Sequence, residues 1–226
     1  MSMCFIRCSF LFWLLPVLVF SQENFEGLGE SSLSLNHKIN NRLDFNYSLK
    51  SRYFLYNDAE LTYDQRQLDF AYFSTYKLNL SHSVSFGIQY RNRSIFNDSG
   101  NELRLTQQLN IKTSLQKLRF GHRFRFEQRI LEDLTLLRSR YRFALDFPLN
   151  GLELDIGEAY LVPSMEILLT NNHKIKPEMD HRTTIQIGWL LTEKLKVQGG
   201  FEYRFEALNL DTQHVLFVLT SAILKI

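Results

Sequence analysis

Between Glu102 and Arg129 the chain reads ELRLTQQLNIKTSLQKLRFGHRFRFEQR, in which apolar and polar residues take turns along two successive runs. Leu103, Leu105, Leu109 and Ile111 share one parity of the first run, and Leu118, Phe120, Phe124 and Phe126 share one parity of the second. A period of two belongs to a β-strand with unlike faces, because successive side chains point to opposite sides of the sheet. A two-residue turn at Gln116-Lys117 sets Leu115 opposite Leu118, Leu109 opposite Phe124 and Ile111 opposite His122, so the apolar side chains share a face. The other face then sets Asn110 against Arg123, Gln108 against Arg125 and Thr106 against Glu127. The expectation is a hairpin whose apolar face meets lipid and whose polar face lines a barrel lumen.

The rest of the chain repeats this unit, with no long helical period anywhere after residue 21. A three-residue loop Asn40–Arg42 brings Ile39 opposite Leu43 and Leu35 opposite Tyr47. Further turns are expected at Ser81–Ser83, Pro148–Gly151 and Thr192–Lys194. Between these hairpins lie polar stretches read as longer connections: 56–66, 92–101, 131–136, 171–179 and 206–213. The turn at Pro148 is expected to pair Leu137, Tyr141, Phe143, Leu145 and Phe147 with Leu152, Leu154 and Ile156. The run 158–170, interrupted by Pro163, reads as one long strand with a bulge or kink. Gly199 and Gly200 permit strong curvature in their strand.

Short turns on one edge, longer connections on the other and strands of about 9 to 11 residues or more are the habit of transmembrane barrels. Mean hydropathy of −0.19 does not argue against this, because alternating faces dilute the average. Aromatic residues are 14% of the chain, with 19 Phe and 10 Tyr. Tyr53, Tyr56, Tyr90 and Phe205 fall toward the longer connections and Trp189 toward the short turns, as rings at two membrane interfaces would. The fold class expected is an all-β, antiparallel, up-and-down transmembrane barrel of ten to twelve strands, with short periplasmic turns and longer extracellular loops. About eleven strands can be counted, while bacterial single-chain barrels have an even number. An extra strand in 22–30 or a division near Pro163 would restore parity, and twelve is favoured.

The chain opens MSMCFIRCSFLFWLLPVLVFSQ, with a lone cation at Arg7 and an apolar core from Phe10 to Phe20. The core is too short for a membrane span and polar sequence follows at once, so residues 1–21 read as a secretory signal peptide and 22–226 as a single barrel domain. Cleavage removes Arg7 and no acid, taking the formal charge from +2 to +1. No electrostatic case for a nucleic-acid partner remains. Cleavage also removes Cys4 and Cys8, leaving no thiol for disulfides, catalysis or metal ligation. Gln22 stands where a lipoprotein would carry its cysteine.

From Arg138 the sequence RSRYRFALDFPLNGLELDIGEAYLVPSMEILLT resembles the signature region of a family of uncharacterised bacterial outer-membrane β-barrels, catalogued as a domain of unknown function. The positions that carry the resemblance are Arg138, Arg140, Tyr141, Arg142, Pro148, Tyr160 and Glu166, and the hairpin series extends it over nearly all of the mature chain. The resemblance implies a barrel in the outer membrane of a Gram-negative cell, in contact with outer-membrane lipid and the barrel-assembly machinery, and no established activity. Many such barrels end in an aromatic residue, whereas this chain ends Leu224-Lys225-Ile226.

A charge cluster is expected in the lumen: Arg119, Arg123, Arg125, Glu127, Arg138, Arg140, Arg142, Asp146, Glu153, Asp155 and Glu158. The four-residue turn would set Arg140 opposite Gly157 and Arg142 opposite Asp155. Such a cluster is either a selectivity constriction or small-solute site, or a salt-bridged plug, since buried charge must be paired. The histidines share no ligand spacing, and neither H-x-x-x-H nor H-E-x-x-H occurs. Asp58, Glu60 and Asp64 lack the glycine and the twelve-position pattern of a calcium loop. There is no G-x-S-x-G elbow, and Asp180-His181 alone is no signature. Neither cofactor, metal nor catalytic site is expected. The function expected is that of an outer-membrane, porin-like barrel acting as a narrow channel or as a structural and interaction protein. The alternative is a soluble secreted barrel that closes on an apolar ligand in the lipocalin manner, although that fold needs eight strands.

Overall fold

The alternation carries through the whole sheet. The computed structural model describes residues 25–96 and 100–226 and consists of eleven strands closed into one barrel. They are β1 Phe25–Lys38, β2 Leu43–Asn57, β3 Glu60–Lys77, β4 His82–Asn92, β5 Glu102–Leu115, β6 Leu118–Ile130, β7 Thr135–Pro148, β8 Ala159–Asn172, β9 Ile175–Leu190, β10 Leu195–Glu206 and β11 Gln213–Lys225. Each strand pairs antiparallel with its neighbours in sequence. The expected leader, residues 1–21, lies outside the described residues.

The parity problem is resolved at the seam rather than by a twelfth strand. β1 runs parallel to β11, from Phe25 beside His214 to Asn36 beside Lys225. An up-and-down sheet with an odd number of strands can close only through one parallel pair, because its first and last strands point the same way. Residues 25–30 belong to β1 itself, and β8 passes through Pro163 undivided. Ala144 pairs with Ser164 and Phe147 with Leu161 in one unshifted register. The proline therefore removes a ladder hydrogen bond without inserting a bulge.

The expected register of the β5–β6 hairpin is the observed one, from Leu115 opposite Leu118 to Thr106 opposite Glu127. Asn40 starts the first turn, its Oδ1 accepting hydrogen bonds from the amides of Arg42 (2.8 Å) and Leu43 (2.9 Å). Asn79 does the same for Ser81 (2.9 Å) and His82 (2.7 Å), and the Thr192 hydroxyl for Lys194 (3.3 Å) and Leu195 (3.0 Å). Such side chains mimic a backbone turn. Asn79 thus moves the turn expected at Ser81–Ser83 two residues earlier, pairing Tyr76 with Val84 and leaving Leu80 fully exposed at the tip.

Several expected connections are strand instead. β2 and β3 meet in a two-residue turn, where Asp58 (φ 50°) and Ala59 (φ 64°) are left-handed, as such hairpins require. Asn172 pairs with Ile175, so 173–174 is the whole connection between β8 and β9. The polar residues of 56–66 and 171–179 continue the strand period and pair across, which composition alone hides. Conversely, the turn at Pro148–Gly151 does not form a hairpin with Leu152–Ile156. Gly151 (φ 62°) and Gly157 (φ 87°) take left-handed conformations that end strand pairing, and 149–158 is an irregular connection with Leu152 and Ile156 exposed. Pro148 pairs with Tyr160, so Arg142 faces Glu166 and Arg140 faces Leu168, not Asp155 and Gly157.

Leu33, Leu49, Phe70, Phe86, Phe124, Ile185 and Phe201 all stand on the outer surface, exposed by between 44% and 56%. The inward parity carries Gln67, Asp69, Glu102, Arg104, Thr106, Asp180, Arg182 and Arg204, all buried. An apolar patch interrupts this polar interior at the seam, where Leu28, Val215, Phe217 and Leu219 pack together with Phe54. β11 is apolar on both faces for that reason.

At Gly200 the neighbouring backbone leaves no room for a side chain. A Cβ on Gly200 would stand 2.1 Å from the carbonyl oxygen of Ile185, whereas one on Gly199 would meet only the Leu219 oxygen at 3.8 Å. Of the two glycines, it is Gly200 that the close approach of β9 and β10 demands.

Candidate functional site

The interior wall is built from arginines that face one another. Register pairs Arg104 with Arg129, Arg123 with Arg142, Arg125 with Arg140 and Arg182 with Arg204. Like charges directly opposite across a ladder destabilise it, and burial makes each unpaired charge costlier. Carboxylates offset this, shared within two of the four pairs. Glu102, 1% exposed, accepts from Arg104 at 2.5 and 3.1 Å and from Arg129 at 2.6 and 3.1 Å, with Arg91 a further 3.7 Å away.

Glu127 bridges Arg125 (3.3 Å) and Arg140 (3.0 Å), and Glu166 takes the other edge of Arg140 at 2.7 and 3.2 Å. Asp180 lies 3.8 Å from Arg182 and 4.0 Å from Arg138. Across the barrel Glu202 holds Arg204 at 2.5 Å, and Glu30 holds Arg52 at 2.6 Å. Both of these arginines also stack on the Phe217 ring, at 3.7 and 5.2 Å from its centroid, a favourable cation–π arrangement. Asp69 and Arg91 form a paired fork with two contacts of 2.8 Å.

A cavity of about 560 Å³ runs between these groups, and a second space of about 420 Å³ adjoins it toward the 78–81 and 39–42 turns. Every arginine lining the larger cavity lies within 4.0 Å of a carboxylate except Arg123 and Arg142, among the described residues.

Of the charges expected in the lumen, Arg123, Arg125, Glu127, Arg138, Arg140 and Arg142 are brought together on the inward faces of β6 and β7. Arg119 and Asp146 pair at the rim, 2.7 Å apart and partly exposed. Glu153, Asp155 and Glu158 are not in the lumen. They belong to the 149–158 connection, where Glu158 accepts a hydrogen bond from the Asp155 amide at 3.1 Å. The left-handed glycines that end the strand remove them from the wall. Glu30, Arg52, Asp69, Arg91, Glu102, Arg104, Glu166, Asp180, Arg182, Glu202 and Arg204 are interior charges absent from the expected cluster. Their signal was the polar parity itself, extended to the true strand ends.

His122 faces outward, its Nδ1 2.9 Å from the Tyr141 hydroxyl, and His214 lies 3.0 Å from that of Tyr203. Among the described residues no group of three or more His, Cys, Asp or Glu side chains is placed to hold a metal ion.

Residues 31–214 match the family described as Protein of unknown function (DUF2490). The chain belongs to this family. In this DUF2490 chain, Arg138, Arg140, Arg142, Tyr160 and Glu166, the inward members of the resemblance noted above, sit on the adjoining strands β7 and β8. No curated protein matches the chain.

Proposed function

We propose that this protein is a barrel of a bacterial outer membrane, exported through the leader at 1–21 and inserted by the barrel-assembly machinery, whose narrow charged lumen holds or passes small solutes. The observation that carries this reading is the belt of outward apolar side chains, including Leu33, Phe70, Phe124, Ile185 and Phe201. In water such a continuous surface would be a strong association hazard. In a bilayer it is the required solvent-facing surface, and closure leaves no sheet edge unsatisfied.

Strands of 11 to 18 residues meet or exceed the roughly 9 to 11 residues needed to cross hydrocarbon. Ring contacts near the 207–212 end of β10 and β11, among Tyr203, Phe205 and His214, and toward the turn end of β6 and β7, between Phe120 and Phe143, suit two interfaces. A soluble barrel closed on an apolar ligand needs an apolar interior, whereas here the apolar cluster at the seam around Phe217 and scattered inward residues such as Ala71, Tyr160 and Leu168 stand among buried charges.

The ion-paired struts from Glu102, Glu127 and Glu166 favour a constricted lumen over a wide pore. The test is fractionation of the native protein after alkaline washing, combined with heat-modifiable migration on gels and conductance in planar bilayers. Retention in washed outer membranes with a compact unheated band is expected, together with small or no unitary currents. Recovery in the detergent-free soluble fraction overturns the membrane reading, and currents of open-porin size overturn the narrow lumen.

A further inference from the structure

Toward the turn end of the lumen, β5, β6 and β7 leave a recess of about 390 Å³ whose floor is Gly121 and Ala144. A Cβ on Gly121 would meet nothing closer than the Ala144 carbonyl oxygen at 3.9 Å, so the space is open. Arg123, Arg142 and Lys112 stand around it, with the Arg119–Asp146 ion pair also on its lining. Arg123 and Arg142 are direct register partners, which sets their Cβ atoms about 4.5–5.5 Å apart. The nearest carboxylates are already engaged: Glu166 turns to Arg140 at 2.7 Å, and Asp146 turns to Arg119 at 2.7 Å. Arg123 donates its Nε to Asn110 Oδ1 at 3.0 Å, which fixes the guanidinium and leaves its outer edge free. Arg142 makes no hydrogen bond or ion pair among the described residues, and neither it nor Lys112 has a carboxylate within 4.0 Å.

Elsewhere in this interior each facing arginine lies within 4.0 Å of a carboxylate, shared by Arg104 with Arg129 and by Arg125 with Arg140 and separate for Arg182 and Arg204; Arg123 and Arg142 have none at that distance. We propose that the recess is a binding site for a small phosphate-bearing anion, which supplies the negative charge the wall omits. Two guanidinium forks and an ammonium match the several oxygens and the double charge of a phosphate group. The Gly121–Ala144 floor provides room for it. The assignment deepens the small-solute reading above and rests on the barrel interior alone.

The test is calorimetric titration of the folded mature chain with inorganic phosphate at low ionic strength, in detergent micelles, or in plain buffer if the protein proves soluble. Site and membrane readings therefore fail separately. Saturable binding is expected for the wild type. Arg123→Gln with Arg142→Gln should weaken it at least tenfold, and Gly121→Val should block it by filling the recess. Arg42→Gln, a turn residue outside the cavity, should leave it unchanged. In a thermal scan phosphate should raise the melting temperature of the wild type and not of the double variant, which by losing two repelling charges should melt no lower than the wild type without phosphate. Absence of saturable phosphate binding by the wild type, or wild-type affinity in the double variant, overturns the proposal.

Discussion

Arg104 and Arg129 face each other directly across β5 and β6, and the single carboxylate of Glu102 hydrogen-bonds to both. Neither guanidinium has another carboxylate within 4.0 Å. Glu102→Gln keeps the shape and removes the charge, leaving a buried like-charge pair with Arg91 close by. Breaking a buried ion pair from one side typically costs about 3–5 kcal/mol. The variant should unfold at clearly lower urea concentration than the wild type, with the change read as loss of the compact unheated band. Glu132→Gln, in the 131–134 connection, is the control and should change little.

The contrast between two adjacent glycines gives a second expectation. Gly200→Ala forces a methyl group onto the Ile185 carbonyl oxygen, while Gly199→Ala makes only an ordinary contact. Overpacking typically costs about 1–3 kcal/mol and occasionally more. Gly200→Ala should therefore fold poorly or melt well below the wild type, and Gly199→Ala should remain close to it.

The parallel seam can be tested covalently. Leu33 and Ala222 are partners across β1 and β11, on the outward face. Leu33→Cys combined with Ala222→Cys should oxidise to an intramolecular disulfide, since partnered strand positions approach within the range a disulfide spans. Leu33→Cys with Leu216→Cys, six residues out of register, should not. The readout is a shift in migration under non-reducing conditions.

A single fluorophore reports on the outer surface. The chain has two tryptophans, Trp13 in the expected leader and Trp189, and Trp189 projects outward, 39% exposed, near the turn end of β9. In reconstituted vesicles containing brominated lipids its emission should be strongly quenched. Unquenched emission with a water-like maximum would count against the proposed bilayer placement.

The hairpin at 102–130 was legible to the residue because its two faces differ sharply and its turn is short. Leu109 opposite Phe124 follows from parity alone. The turn at Asn79 is hidden in the sequence because Leu78 and Leu80 continue the apolar parity, while the Asx side chain that ends the strand gives a purely local signal. The connection at 149–158 differs from its expected hairpin for the reverse reason. Leu152, Leu154 and Ile156 alternate as a strand would, and only the left-handed glycines on either side reveal that they do not pair. The interior charges were partly legible: Arg123, Arg125, Arg138, Arg140 and Arg142 follow from the strand period. Glu102, Asp180 and Arg204 lie inside the expected strands, close to their ends, and only their partners across the sheet show that they belong to the lumen network. Which carboxylate serves which arginine is a three-dimensional matter that no spacing encodes.

The odd strand count has one more effect. Because β1 and β11 run the same way, Phe25 enters the barrel at the end bearing the 58–59 turn, while Ile226 leaves at the opposite end, its amide bonded to the Asn36 carbonyl oxygen. In an even-stranded barrel both extremities emerge on one side. Here a peptide fused ahead of Phe25 and another fused behind Ile226 would be separated by the full height of the wall, so in the proposed bilayer placement a protease confined to one side would remove one and spare the other.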